Sequence, residues 1–244
     1  MNLDDTHILI TGGTAGIGLA LAVALERENA RVTVCGRSEE RLEEARRTLS
    51  ERAHVTRCDV SRPENHAALL ADAVQANGPI DILINNAGVQ QLMDFTDDAQ
   101  QKWIASEVGL NLTAPLLLTE AALPALRLRP EPAVVQITSG LALSPKRTAP
   151  VYCATKAGLR SFTQALRWQL EGDRVRIIEV LPPLVETEMT EGRGSGKLSP
   201  EEAARQIVSG LRAGREEIFV GKAKLLHVIH AISPWLAGRI TRRM

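Results

Sequence analysis

Aromatic residues are scarce in this chain of 244 residues: three Trp, one Tyr and three Phe amount to 3%. A core built without them must be mostly Leu, Val, Ile and Ala. Cysteine is also rare. Cys35, Cys58 and Cys153 are too few and too scattered for a disulfide framework or a metal site, and they suit a reducing compartment. A charge excess is missing as well, with 29 basic against 29 acidic residues, which argues against a general nucleic-acid binder. The opening Met1-Asn2-Leu3-Asp4-Asp5 is acidic where a secretory signal would be basic. No run approaches the ~20 apolar residues of a membrane span. A cytoplasmic protein is expected. Internal repeats and low-complexity linkers are absent too, so residues 1–244 read as a single domain.

What is present is an alternation of short apolar runs and helical patterns. Strands are expected at His7–Ile10, Arg31–Cys35, Val55–Cys58, Ile80–Ile84, Ala133–Thr138, Val175–Leu181 and Ile218–Val220. Near-continuous Val/Ile/Leu runs indicate strands buried on both faces, as in parallel sheets. The expected fold class is therefore α/β: Rossmann-type, doubly wound, a seven-stranded parallel sheet flanked by helices. Ser38 is placed to cap the helix that runs to Leu49, and Pro63 sits where a first helical turn tolerates it. Gly192 to Gly196, with three glycines in five residues, is the segment with the greatest backbone freedom.

Thr11-Gly12-Gly13-Thr14-Ala15-Gly16-Ile17-Gly18 joins the first strand to the first helix. Glycines there let the backbone approach a phosphate at a helix N-terminus. The spacing is Gly-x-x-x-Gly-x-Gly, and any tight strand-to-helix turn also attracts glycine. At the end of the second strand, Cys35-Gly36-Arg37-Ser38 offers no acid for a ribose hydroxyl, while Arg37 suits a 2′-phosphate. NADP is expected over NAD, although a solvated surface arginine would look the same.

Tyr152 and Lys156 stand four apart, on one face of a helix. A phenol titrates near pH ~10, and a neighbouring ammonium favours the phenolate, the tuning a general acid/base needs. The pair could equally mark an ordinary surface helix. Ser139 follows the fifth strand, where open α/β sheets bind ligands; the alternative is a turn serine. Thr138 is its rival, but adjacent strand residues face opposite ways. Asn111 precedes Pro115, which has no N–H. If the stretch is helical, the Asn111 carbonyl lacks its usual donor and could hold a water. A helix that starts near Thr113 would make that carbonyl unremarkable.

Together these residues resemble the short-chain dehydrogenase/reductase family, in its single-domain branch, over nearly the whole chain. Thr11-Gly12-x-x-x-Gly16-x-Gly18 resembles the family's cofactor loop, Cys58-Asp59-Val60 its adenine contact and Asn85-Asn86-Ala87-Gly88 its strand-four motif. Asn111, Ser139, Tyr152 and Lys156 fall on its catalytic tetrad, with a thirteen-residue step from Ser139 to Tyr152. Cys35-Gly36-Arg37, Ser139-Gly140-Leu141-Ala142 and Val151 to Lys156 look most like the DltE-type oxidoreductases. The resemblance implies an NAD(P)-dependent enzyme acting on a carbonyl or alcohol. Tyr152 would exchange the proton, Ser139 position the substrate oxygen, Lys156 bind ribose and lower the Tyr152 pKa, and Asn111 hold a water. Cofactor contacts are implied at Gly12, Thr14, Gly16, Ile17, Gly18, Arg37, Asp59, Val60, Asn86, Ala87, Gly88, Tyr152 and Lys156. Val185 by backbone and Thr187 by hydroxyl would meet the nicotinamide carboxamide. One departure stands out. Pro182-Pro183 replaces the usual Pro-Gly and stiffens that turn.

The substrate pocket is expected to involve Gln90, Leu141, Leu143, Leu184 and Met189, an apolar set suited to a modest hydrophobic carbonyl compound. Residues 221–244 form a basic amphipathic segment. It could lie on a membrane surface, but packing on the domain or on a second subunit is favoured, with Pro234 breaking the segment. A homodimer or homotetramer is implied through the helices that carry Asn111 and Tyr152, with Phe162 and Trp168 as candidate contacts or ordinary core. The alternative to an enzyme is a redox sensor or partner-binding protein that keeps the cofactor site. Dehydratases and epimerases on this scaffold usually carry a larger substrate domain.

Overall fold

Seven strands pair in parallel in a computed structural model that describes residues 1–96, 101–192 and 194–242. They are β1 (His7–Thr11), β2 (Arg31–Gly36), β3 (His54–Arg57), β4 (Ile82–Asn85), β5 (Ala133–Ile137), β6 (Arg176–Leu181) and β7 (Glu217–Phe219). The order across the sheet is β3-β2-β1-β4-β5-β6-β7. Between them run α1 (Gly16–Glu26), α2 (Glu39–Thr48), α3 (His66–Asn77), α4 (Gln101–Val108), α5 (Ala114–Leu126), α6 (Pro150–Gln169) and α7 (Pro200–Arg212), followed by α8 (Ala223–Ile232) and α9 (Pro234–Thr241). This is the doubly wound arrangement that the alternation predicts, and the strand positions agree to within two residues.

The two-residue period of the strands sends side chains to two hydrophobic layers. Ile8, Ile10, Ile82, Ile84 and Val135 pack with α1 and α7, through Leu21, Leu25, Ala204 and Ile207. Leu9, Leu83, Val134 and Ile177 pack on the other face with Leu69, Leu118, Ala122 and Leu126. All eight of these strand residues from Ile8 to Val135 are completely buried, which is why strands this short suffice. Ser38 caps α2 by accepting the Arg41 N–H, and Pro63 opens a 3-10 turn before α3.

One helical region departs from regularity. α4 runs into a π-turn at Gly109–Thr113 and then into α5, so helix is continuous through Asn111. The Ala114 N–H bonds the Gly109 carbonyl, five residues back. Pro115 removes one rung of the α ladder just beyond, and a widened turn is a common response. A helix starting near Thr113 is thereby excluded. Trp103–Leu126 is a helix of 24 residues whose most apolar stretch has a mean hydropathy of 1.2, enough by length and composition alone to cross a membrane. That corrects the expectation that no segment approaches a span; polar residues interrupt the run and disguise it. Here the segment lies along the sheet, with Leu118, Ala122 and Leu126 buried.

Candidate active site

Every residue singled out for cofactor or chemistry lies just beyond a carboxyl strand end or on the helices packed there. The loop between β1 and α1 is shaped by glycine where close approach demands it. Gly12 has φ 63°, and a Cβ there would lie 2.8 Å from the Ala87 Cα. A Cβ on Gly18 would lie 2.3 Å from the Gly12 carbonyl oxygen and 2.5 Å from Asn86 Nδ2. The loop is braced from β4: Asn86 Nδ2 donates to the Thr11 and Gly12 carbonyls, both at 3.0 Å. The Thr11 hydroxyl accepts from the Asn86 and Ala87 N–H groups. Asn86 and Ala87 thus build the cradle as well as facing it. Thr14 is buried against Gly36, and Ile17 packs on the core. No side chain caps the start of α1, whose free N–H groups remain for an anion.

Beside this loop, beyond β2 and β3, lies a cavity of about 660 Å³ lined by Arg37, Arg57, Cys58, Asp59, Arg62 and Asn65 among others. Burial works to raise the Asp59 pKa, but hydrogen bonds from the Ser61 hydroxyl and N–H, with Arg37 and Arg62 nearby, hold it below the usual range. Val60 is buried behind it. Arg57 and Arg62 escape a sequence reading because nothing marks which strand-end arginines face inward. Three guanidinium groups around one acid suit a phosphorylated ribose next to an adenine. The cradle and this cavity together fit a dinucleotide.

At the chemical end, Ser139 begins a 3-10 turn and its Oγ accepts the Leu141 N–H at 3.1 Å. Its side chain stands near enough to the Tyr152 hydroxyl to favour the phenolate. Thr138 faces away, donating to Glu179 Oε1 at 2.7 Å and the Val180 carbonyl at 3.0 Å. Lys156 is buried one turn beyond Tyr152, and its Nζ donates to the Ile137 carbonyl at 2.7 Å, 5.8 Å from the Tyr152 ring centre. Asn111 is buried at the π-turn. Its Nδ2 donates to the Val89 carbonyl at 2.8 Å and to the Thr155 hydroxyl, and its Oδ1 accepts the Val89 N–H at 2.9 Å. A Cβ on Gly88 would lie 3.2 Å from Asn111 Oδ1 and 3.6 Å from Lys156 Nζ. Asn111, Gly88 and Lys156 therefore meet, and Ser139 joins Tyr152.

The electrostatics differ from the expected tuning. Burial pushes the Tyr152 phenol up to about 12, against the Ser139 hydrogen bond, and the Glu107 charge adds to the rise. Burial pulls Lys156 down to about 8, with Glu107 opposing. Desolvation dominates both shifts, and Lys156 is bonded to the main chain rather than to the phenol. Glu107 is a residue the sequence does not reveal. It is completely buried one turn before Asn111, and its Oε1 accepts the Gln91 N–H at 3.2 Å. Glu107 and Asn111 thus hold alternate N–H groups of the segment after β4. Its signal was the i, i+4 spacing to Asn111, which only a known helix makes meaningful.

Beyond β6, Thr187 adjoins the cofactor loop: a Cβ on Gly16 would lie 3.0 Å from its Cγ2. The Val185 side chain is buried, and its carbonyl accepts the Thr190 hydroxyl. The Pro182 carbonyl accepts the Gly140 N–H at 3.0 Å, tying the loops after β5 and β6 together. Of the expected pocket residues, Gln90 is buried, Leu141, Leu143 and Leu184 are half-buried, and Met189 is exposed. They follow β4, β5 and β6, three neighbouring strands. Gly192, Gly194 and Gly196 all have positive φ. On α6, Phe162 packs on the core while Trp168 is exposed.

Residues 6–197 match the short chain dehydrogenase family. The chain is 40% identical to the oxidoreductase DltE of Bacillus subtilis over 225 residues, which cover 89% of each chain. It is 30% identical to a 3-dehydrosphinganine reductase of Arabidopsis thaliana, over 87% of this chain and 70% of that one. Its fold is similar to a short chain dehydrogenase from Burkholderia cenocepacia in complex with NADP, with a TM-score of 0.87 and 26% identity over 99% of both chains. A family match over residues 6–197, on the same strands and helices that bring Ser139 to Tyr152, means that the chain belongs to the short chain dehydrogenase family.

Proposed function

We propose that this protein is an NADP(H)-dependent oxidoreductase of carbonyl and alcohol substrates, with Tyr152 as the general acid/base. The observation that carries this reading is the Ser139–Tyr152 hydroxyl pair beyond β5, with Lys156 one helical turn away. Bound nicotinamide supplies hydride to the substrate carbon, or accepts it in the reverse direction. The Ser139 hydroxyl bonds the substrate oxygen, and the Tyr152 hydroxyl gives that oxygen its proton. Lys156 leaves the Ile137 carbonyl for the ribose hydroxyls. There its ammonium stabilises the phenolate left on Tyr152. Asn111, anchored through its side chain to Val89, presents its carbonyl at the π-turn to a water that returns the proton through Lys156.

NADP is preferred over NAD because Arg37 stands where an acid would bind the ribose hydroxyl, with Arg57 and Arg62 in the same cavity. The NADP bound to the Burkholderia relative supports the same reading. Leu141, Leu143 and Leu184 suit a hydrophobic carbonyl compound. The protein assembles as a homo-oligomer through α4, α5 and α6, where Trp103, Leu117 and Trp168 are exposed. An NADPH-oxidation screen across aldehydes, ketones and quinones tests the reading. Turnover of hydrophobic carbonyls is expected, and turnover restricted to highly charged substrates contradicts the pocket assignment.

A further inference from the structure

The last two helices are packed with their large apolar side chains outward. Ala223, Ala237 and Thr241 are the residues buried against the domain, whereas Leu225 is 62% exposed, Ile232 81% and Trp235 69%. This weakens the expectation that the segment's apolar face packs on the domain. Leu225, Val228 and Ile232 lie three and four residues apart, on one stripe of α8. On α9, Trp235, Leu236 and Ile240 are exposed, with the Arg239 guanidinium 4.9 Å from the Trp235 ring. The platform is fixed in place. Thr241 bonds Ser144 at 2.8 Å and the Pro145 carbonyl at 3.0 Å, Ser233 caps α9, and His227 stacks on Phe219 at 4.2 Å.

Charge selects the occupant. From Gly221 onward the sequence has Lys222, Lys224, Arg239, Arg242 and Arg243 and no Asp or Glu. A two-fold contact between copies of this face would set basic residues against basic residues. An anionic lipid surface complements them, and exposed Trp and Leu suit the boundary between headgroups and acyl chains. With 10 and 8 residues, α8 and α9 are too short to cross a bilayer and are suited to lying on it. We propose that α8 and α9 dock this protein on an anionic phospholipid surface. Leu226, on the domain-facing side of α8, reaches to 3.5 Å from the Cβ position of Gly140, so the helix that carries the docked face is packed on the loop after Ser139.

The test is co-sedimentation of the full chain with phosphatidylcholine vesicles, with and without phosphatidylglycerol, beside light scattering without lipid. Binding at least tenfold tighter to the phosphatidylglycerol vesicles is expected. It should fall at least tenfold in Leu225→Glu/Ile232→Glu/Trp235→Glu protein that melts normally and still binds NADPH. Retained binding in that variant overturns the proposal. So does a wild-type protein that ignores vesicles while the same variant dissociates an oligomer, which would assign the face to a second copy. Should the apolar variant fail to fold, Lys224→Glu/Arg239→Glu/Arg242→Glu decides: loss of phosphatidylglycerol binding supports the proposal and retention overturns it.

Discussion

The ammonium of Lys156 is bonded to the carbonyl of Ile137, 2.7 Å away, at the end of β5 and two residues before Ser139. Burial is the main reason that Tyr152, one turn before Lys156 on α6, has a phenol that is harder to ionise than a free one. Desolvation raises the phenol, and the Ser139 side chain only partly offsets it.

Tyr152 is the sole tyrosine, so phenolate absorbance in the near ultraviolet reports it alone. In the cofactor-free folded protein no phenolate signal is expected at pH ~10, where an unfolded tyrosine is half ionised. NADP should bring the signal to lower pH. Because the folded pKa is raised to about 12, this group also makes the fold less stable as pH rises from about 10 to about 12. A folded-state titration near 10 that NADP leaves unchanged would refute the desolvation account.

Lys156 carries the opposite sign. Its folded pKa is depressed to about 8, below the unfolded value of 10.5. The unfolded chain therefore binds more protons between those values, and stability from this group rises with pH across that window. At ~1.4 kcal/mol per pKa unit, the rise amounts to roughly 3 kcal/mol. Denaturant titrations of wild type and Lys156→Met should show the variant relatively most stable below pH 8, with its advantage shrinking toward pH 10.5. A pH-independent difference would show that Lys156 is not desolvated.

Arg37→Ala should weaken NADPH binding at least tenfold while NADH binding changes little. A charge-assisted hydrogen bond to phosphate is worth ~1.5–3 kcal/mol, and 1.4 kcal/mol is tenfold. Fluorescence titration with both cofactors measures this. Equal losses for the two would mean that Arg37 does not read the 2′-phosphate.

Glu107 separates two roles. Glu107→Gln keeps an acceptor for the Gln91 N–H and removes the charge that raises both Tyr152 and Lys156. The phenolate signal should appear at lower pH with little loss of stability. Glu107→Ala removes the acceptor too and should cost about 1–3 kcal/mol, read in thermal melts. Identical behaviour of the two variants would reduce Glu107 to a packing residue.

Much of the fold was legible because its signals are local. The apolar runs from His7 and Ala133, the glycines from Gly12 to Gly18 and the Ser38 cap each announce an element within a few residues. Strand alternation set Thr138 and Ser139 on opposite faces, and the thirteen-residue step to Tyr152 in the family resemblance chose Ser139. Three features were not legible. The π-turn around Asn111 depends on how α4 and α5 sit on the sheet, and Pro115 hints only at a disturbed ladder. Glu107, Arg57 and Arg62 reach the site through tertiary packing that no spacing encodes. The outward Leu225, Ile232 and Trp235 have a pattern that fits burial equally well. Which face is inward is settled by the small residues Ala223, Ala237 and Thr241.

The central claim is that the Tyr152 hydroxyl supplies the proton, and single-turnover reduction of a carbonyl substrate by Tyr152→Phe protein loaded with NADPH tests it most directly. A loss of at least ~100-fold in rate is predicted, the scale of a missing general acid, with NADPH affinity within a few-fold of wild type. An unchanged rate in that variant would contradict the account.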